Sequence, residues 1–281
     1  MTLREAIAAA TRRLSRDINL QASAAHDAEL LLLDQLSLTR ATLLAHPNRE
    51  INQLEQDRYD ANIVRRLVNE PIQYITGEQE FYGLLLHVTP AVLIPRPETE
   101  HLVEAVLGVL PADRPLRILD IGAGSGAIAI ALAVHLPRAQ LTAVDLSPDA
   151  LAVAVENAQR HGLAHRIRFV ESDLLQALAG ERFDAIVSNP PYIPTADRVS
   201  LHPQVRDHEP GQALFAGPMG LDIYERLIPA SEEALPPGGL LALEIGYGQR
   251  EAISGLLERW QNVSFVDDLQ GIPRVALASR T

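Results

Sequence analysis

Apolar residues in the first seventy positions recur at helical spacing. Leu3, Ile7, Ala10 and Leu14 share one face, and Ala28, Leu31, Leu32 and Leu36 repeat the pattern beside Gln35. Leu54 to Val68 gives a further helix, which Asn69-Glu70-Pro71 ends. Residues 2–70 hold no glycine and only Pro47, so residues 1–70 are expected to form a small helical bundle. The character changes over residues 71–97. Tyr74, Ile75, Phe81, Tyr82, Leu84, Leu86 and Val88 are strand formers, with Gly77 and Gly83 as turn residues, which predicts a β-hairpin linker.

From Glu98 to the end, residues 98–281, helical and extended patterns alternate. Helices are expected over Glu98–Leu110, over Ser125–His135, and from Ser147-Pro148 to Gly162, where Ser147 serves as N-cap and Pro148 as first helical residue. Strands are expected at Arg117–Ile121, Leu141–Val144, Ile167–Val170, Phe183–Ser188 and Leu240–Ile245. Phe183–Ser188 is nearly all apolar, as suits a strand buried on both faces. Such alternation predicts an α/β fold with a doubly wound, Rossmann-like sheet.

Composition narrows the range of partners. Acidic residues number 36 and basic residues 24, a formal net charge of −12, and the basic pairs Arg12-Arg13 and Arg65-Arg66 form no longer run. Duplex binding draws on Lys and Arg to neutralise phosphates, so direct nucleic-acid binding is not expected. Cysteine is absent, which removes disulfides and thiolate chemistry. The most apolar stretch, Ile118–Val134, is broken by Asp120 and three glycines, and no membrane span is expected. With no apolar leader at the N-terminus, the reading is a cytoplasmic protein, for which a monomer is adequate. Nine histidines occur, but no H-E-x-x-H pattern, and no metal site is expected.

Strand Arg117–Ile121 runs into Gly122-Ala123-Gly124-Ser125-Gly126. Glycines here allow tight backbone conformations and leave no Cβ to block a ligand. The spacing also satisfies the dinucleotide pattern, so the loop alone leaves S-adenosylmethionine and NAD open. Asp145, ending the next strand, stands where an acid accepts both ribose hydroxyls, which again fits either cofactor. Asp120 before the glycines favours the methyltransferase pattern D-x-G-x-G-x-G. Asp173 follows the third strand, where such enzymes often bind the adenine amine.

Ser188-Asn189-Pro190-Pro191-Tyr192-Ile193 leaves the fourth strand at the sheet edge where ligands bind. Two prolines impose a rigid, non-helical exit. An amide nitrogen is a poor nucleophile because its lone pair is delocalised into the carbonyl. Two acceptors around its N–H bonds orient the nitrogen and help to localise the pair. The Asn189 side-chain oxygen and the Pro190 carbonyl are suitable acceptors, and neither titrates near neutral pH. Tyr192 offers an aromatic face for a planar amide or a sulfonium. The motif points to methyl transfer to a planar nitrogen. It leaves the substrate open between a protein amide and the amino group of adenine or guanine in a nucleic acid.

Three further segments carry a resemblance. They are Pro71-Ile72-Gln73-Tyr74-Ile75-Thr76-Gly77 with Phe81-Tyr82-Gly83; Leu93-Ile94-Pro95-Arg96-Pro97-Glu98-Thr99-Glu100; and Glu209-Pro210 with Ala213-Leu214, Gly217 and Gly220-Leu221. With the glycine loop and Asn189–Tyr192, the chain resembles the release-factor glutamine methyltransferases. The resemblance implies transfer of a methyl group from S-adenosylmethionine to N5 of the glutamine in the Gly-Gly-Gln loop of peptide chain release factors. It implies that Asp120, Gly122, Ala123, Gly124, Ser125, Gly126, Asp145, Asp173, Leu174 and Asn189 contact the cofactor. It implies that Asn189, Pro190, Pro191 and Tyr192 contact the glutamine, with Arg96, Pro97 and Glu98 shaping the substrate opening and the N-terminal bundle helping to hold the release factor. Leu174 stands where some members carry an aromatic residue beside the adenine. Glu244, at the end of the last strand, is read as a solvated strand end, and Trp260 and Phe265 as core. A cofactor-binding scaffold has no need of both an intact glycine loop and a catalytic motif.

Overall fold

The computed structural model describes every residue, Met1–Thr281. The chain divides into two compact units, residues 1–78 with 200–208, and residues 79–199 with 209–281. No helix is long and apolar enough to cross a membrane.

The first unit contains α1 (Leu3–Leu14), α2 (Ala24–Gln35), α3 (Arg40–Ala45), α4 (Gln53–Leu67) and α5 (Ile72–Thr76), with the later helix α9 (Pro203–His208). Two capping boxes start helices here. Thr2 and Glu5 satisfy each other's backbone N–H groups at α1, as do Asn52 and Glu55 at α4. Leu3, Leu14, Leu31, Leu32, Tyr59 and Ile63 form the centre of its core. Arg66 and Asp27 lie within that core, 5% and 4% exposed, with Nε 2.7 Å from Oδ2. Ser23 Oγ also donates to Asp27 Oδ2, and Arg66 Nη1 donates to the Glu70 carbonyl. Tyr74 and Ile75, expected as strand residues, instead lie on α5, where both are buried. Pro71 opens this single turn and Gly77, at φ 79°, closes it. Burial of two side chains outweighs a strand propensity that reflects packing more than backbone preference.

The second unit starts at Gln79, within a hairpin of β1 (Glu78–Phe81) and β2 (Leu84–His87). Its two-residue turn, Tyr82-Gly83, has φ of 52° and 73°, the paired positive values of a type I′ hairpin. Then follow α6 (Pro97–Val109), β3 (Arg117–Ile121), α7 (Ala127–His135), β4 (Gln140–Asp145), α8 (Pro148–Arg160), β5 (Ile167–Glu171), β6 (Ala185–Ser188), α10 (Asp222–Ala234), β7 (Leu240–Glu244), α11 (Arg250–Leu256), β8 (Gln261–Asp267) and β9 (Pro273–Ser279). The seven-stranded sheet has order β5-β4-β3-β6-β7-β9-β8. Five strands are parallel, while β9 runs antiparallel to both β7 and β8. The sheet is therefore mostly parallel, with an antiparallel pair at one edge that the alternating pattern did not announce. Apolar clusters cover both sheet faces, one including α7 residues and the other Tyr224, Leu227 and Ile228 of α10. Strand order reverses at β3, between β4 and β6, so the crevice beyond their carboxyl ends is where a ligand belongs.

Candidate active site

The carboxyl ends of β3, β4 and β6 open onto one cavity. Its wall includes Gly122, Ala123, Gly124 and Ser125 from the glycine loop, Asp145 and Leu146 after β4, Asp173 and Leu174 after β5, and Asn189, Pro190 and Pro191 after β6. Arg96, Thr99 and Gln212 also line it. Four segments distant in sequence thus meet where the topology directs them.

Gly126 shows why the loop is rich in glycine. Its φ is 81°, and a Cβ there would lie 3.2 Å from the Ala154 Cβ on α8 and from the Ile130 Cδ1. Asp145 secures the loop from the neighbouring strand. Its Oδ2 accepts from Gly124 N at 2.8 Å and its Oδ1 from Ser147 N at 2.9 Å. Each oxygen keeps a further lone pair for a donor in the cavity. Asp120 and Gly126 do not line the cavity. Asp120 is fully buried beneath the loop, with Oδ2 accepting from Ala129 N on α7. Burial pushes its carboxyl up to about 7, with the Ala129 N–H opposing and the charge of Asp145 adding. Asp173 pairs with Arg226 at 2.6 Å and also accepts from Gln176.

Asn189 directs its amide in a defined way. Nδ2 donates to Thr99 Oγ1 at 3.0 Å, which leaves Oδ1 as the end available to a ligand. Ser188 Oγ donates to the Ile121 carbonyl at 2.7 Å and ties the end of β6 to that of β3. Beyond the prolines, Ile193 N donates to Leu214 O and Ala216 N to Ile193 O. Gln249 Nε2 donates to the Tyr192 carbonyl at 3.0 Å and to the Gly220 carbonyl at 3.2 Å, while Gln249 Oε1 accepts from Gly246 N. The motif is therefore clamped on both sides, and Gln249 is a holding residue that sequence reasoning missed.

Gly220, at φ 71°, approaches so closely that a Cβ would overlap the Tyr192 carbonyl oxygen. Gly220→Ala is expected to cost roughly 2–3 kcal/mol, from left-handed strain and a forced backbone shift. Because the shift falls on the Asn189–Tyr192 segment, turnover should drop more than cofactor affinity. Urea unfolding beside calorimetric cofactor binding tests this, and a variant of wild-type stability would rule out the close approach.

Tyr192, Pro97 and Glu98 do not line the cavity. The Tyr192 hydroxyl turns to Glu244, with Oη 3.4 Å from Oε1. Pro97 and Glu98 form the first turn of α6. Arg96 does reach the wall, and its Nη2 lies 2.5 Å from Oε1 of the buried Glu209. Glu209 Oε2 accepts from Ile94 N, so one carboxylate joins the segment before α6 to Pro210 and Gln212 across the opening. Glu244 is not the solvated strand end expected from its position. It is 2% exposed, covered by Tyr192, Tyr224 and the start of α6. Trp260 is buried, whereas Phe265 is half-buried on β8 under the Arg250 guanidinium.

Comparison with known proteins identifies the family. The family profile "PrmC N-terminal domain" matches residues 5–77, and "Methyltransferase small domain" matches residues 100–202. A release factor glutamine methyltransferase of Koribacter versatilis is 47% identical over 281 residues, covering 100% of this chain and 99% of its relative. That of Moorella thermoacetica is likewise 47% identical, with 100% and 99% covered. The chain belongs to the release factor glutamine methyltransferase family. Membership accounts for the α/β methyltransferase unit and for the helical N-terminal region that its own profile matches. A solved 16S rRNA N2 G1207 methyltransferase of T. thermophilus, in complex with AdoMet and guanosine, aligns with a TM-score of 0.56 at 21% identity. That alignment covers 73% of this chain and 50% of the rRNA enzyme, and it shows a shared fold.

Proposed function

We propose that this protein transfers the methyl group of S-adenosylmethionine to the side-chain amide nitrogen of the glutamine in the Gly-Gly-Gln loop of peptide chain release factors. The observation that carries the reading is Asn189. Its amide is held by Thr99 so that Oδ1 remains for a ligand, on the wall of a cavity that the glycine loop and Asp145 also line.

The residues present suit the cofactor. Asp145 keeps lone pairs for a ribose diol, Leu146 and Leu174 give apolar contact for a flat base, and the glycine loop allows close approach of a chain-like ligand. S-adenosylmethionine supplies a methyl group on a sulfonium when bound. The protein's part is to orient the acceptor. Asn189 Oδ1 and the Pro190 carbonyl take the two N–H bonds of the glutamine amide and fix its plane. Pro190 and Pro191 keep those acceptors rigid, because neither can be drawn into a helix. Proximity of this kind lowers a barrier by roughly 7–11 kcal/mol at best. Arg96, held by Glu209, flanks the opening through which a loop would enter. The family name of the relatives supports a release factor as partner, the reaction fits the cytoplasm, and a monomer suffices because the cavity is complete within one chain.

The test is transfer of label from S-adenosylmethionine to a purified release factor, beside a variant with the loop glutamine replaced. Label on the normal factor and none on the variant is the expected result. Label entering RNA or DNA but no release factor would overturn it.

A further inference from the structure

Glu244 lies behind the cavity, and groups from four elements face it. Thr99 on α6 and Arg274 on β9 favour its ionised form, while Glu98 on α6 opposes it. Tyr192, after β6, brings its hydroxyl to 3.4 Å from Oε1. Tyr224 on α10 donates its hydroxyl to the Glu244 carbonyl oxygen at 2.7 Å. Oε2 is buried with no hydrogen-bond partner of ordinary geometry.

Thr99 has a single hydroxyl proton, and its oxygen already accepts from Asn189 Nδ2 at 3.0 Å. That proton is therefore free to point elsewhere, and Thr99 favours the ionised Glu244 carboxylate. The direction matters because the two ends of a side-chain amide have nearly the same shape. A hydroxyl committed to Glu244 can only accept from Asn189, so the NH2 end must face Thr99 and Oδ1 must face the cavity.

We propose that Glu244 is a positioning residue for methyl transfer, fixing through Thr99 which end of the Asn189 amide faces the substrate and holding Tyr192 at the far end of the same motif. The inference rests on the function proposed above and deepens it. Protonated, Glu244 would donate to Thr99, and Thr99 could then donate to Asn189 Oδ1. The Asn189 NH2 would turn toward the NH2 of the substrate, two donors face to face. Burial pushes the Glu244 carboxyl up to about 7, against Thr99, Arg274 and Tyr192. The ionised form is the productive one, so transfer rises with pH through neutrality and is lost on the acid side.

The experiment uses the full chain with labelled S-adenosylmethionine and a release factor, across neutral pH. Glu244→Gln keeps the shape and removes the charge that is costly to bury, so it is expected to fold. Its kcat should fall about 10- to 100-fold as the acceptor is misplaced, with the KM for the release factor little changed. The acid limb near pH 7 should weaken, since Glu244 no longer titrates and Asp120 is the buried carboxyl that remains near that value. Thr99→Val should show the same loss, and the double variant should be no worse than the poorer single one. A Glu244→Gln enzyme that keeps the wild-type rate and pH profile, or losses that multiply in the double variant, would overturn this role alone. A wild-type enzyme that labels no release factor would overturn both readings.

Discussion

Asn189→Ala is expected to reduce methyl transfer about 10³-fold, comparable to the loss of one preorganised polar group at a reacting centre. The side chain is held on one side by Thr99 and offers one oxygen to the cavity, so its removal takes away an acceptor that nothing nearby replaces. Ala also leaves Thr99 Oγ1 without its donor. Cofactor affinity should change far less than rate, because Asp145 and the glycine loop are anchored to each other and not to Asn189. Single-turnover transfer of label, beside calorimetric binding of the cofactor, separates the two quantities. A rate within a few-fold of wild type would mean that the glutamine amide is oriented by other groups.

The second large effect is expected in the helical unit, far in sequence from the chemistry. Arg66→Ala should destabilise the protein by about 3–5 kcal/mol, the range for removing one partner of a buried ion pair. The cost comes less from the lost attraction than from what remains. Asp27 would keep the Ser23 hydroxyl but lose its counter-charge inside an apolar core. The Glu70 carbonyl would also lose its donor. Replacing both partners, as Asp27→Leu with Arg66→Met, should recover most of the loss, since no charge is then buried. Urea unfolding of both variants beside the wild type measures this. A single variant costing under about 1 kcal/mol would show that solvent reaches Asp27 once Arg66 is gone.

The parts of the site that could be read from sequence are those whose meaning is local. Gly122 to Gly126 follow a strand and open a helix, and Asn189 to Tyr192 leave a strand that is apolar throughout; both lie at the carboxyl edge, where the topology brings them together. The supports were hidden because their partners are remote. Thr99 and Asn189 are 90 positions apart, Arg96 and Glu209 are 113 apart, and Gln249 and Tyr192 are 57 apart. Glu244 had a weak signal, a carboxylate closing an apolar strand, but sequence could not show that Tyr192 and Tyr224 cover it. Asp120 was read as a cofactor contact from its place in a motif, whereas its carboxylate turns down to the backbone of α7. Short elements misled for a related reason. Tyr74 and Ile75 are strand formers whose burial decides for a helix, and β8 pairs antiparallel with β9 through an irregular register with no helix between them.

The excursion of residues 200–208 into the first unit bears on how the protein can be divided. A chain that crosses once between two bodies can be cut at the crossing to give two fragments. This one crosses three times. A truncation that removes residues 1–78 leaves α9 attached to the rest but stripped of its partners, among them the Asn19 carbonyl that meets the His202 ring and the Val68 carbonyl that meets the His208 ring. Such a fragment carries an orphaned helix between Ser200 and Glu209, the residue whose carboxylate grips Arg96. Transplanting the helical unit between relatives would have to exchange two segments together, not one.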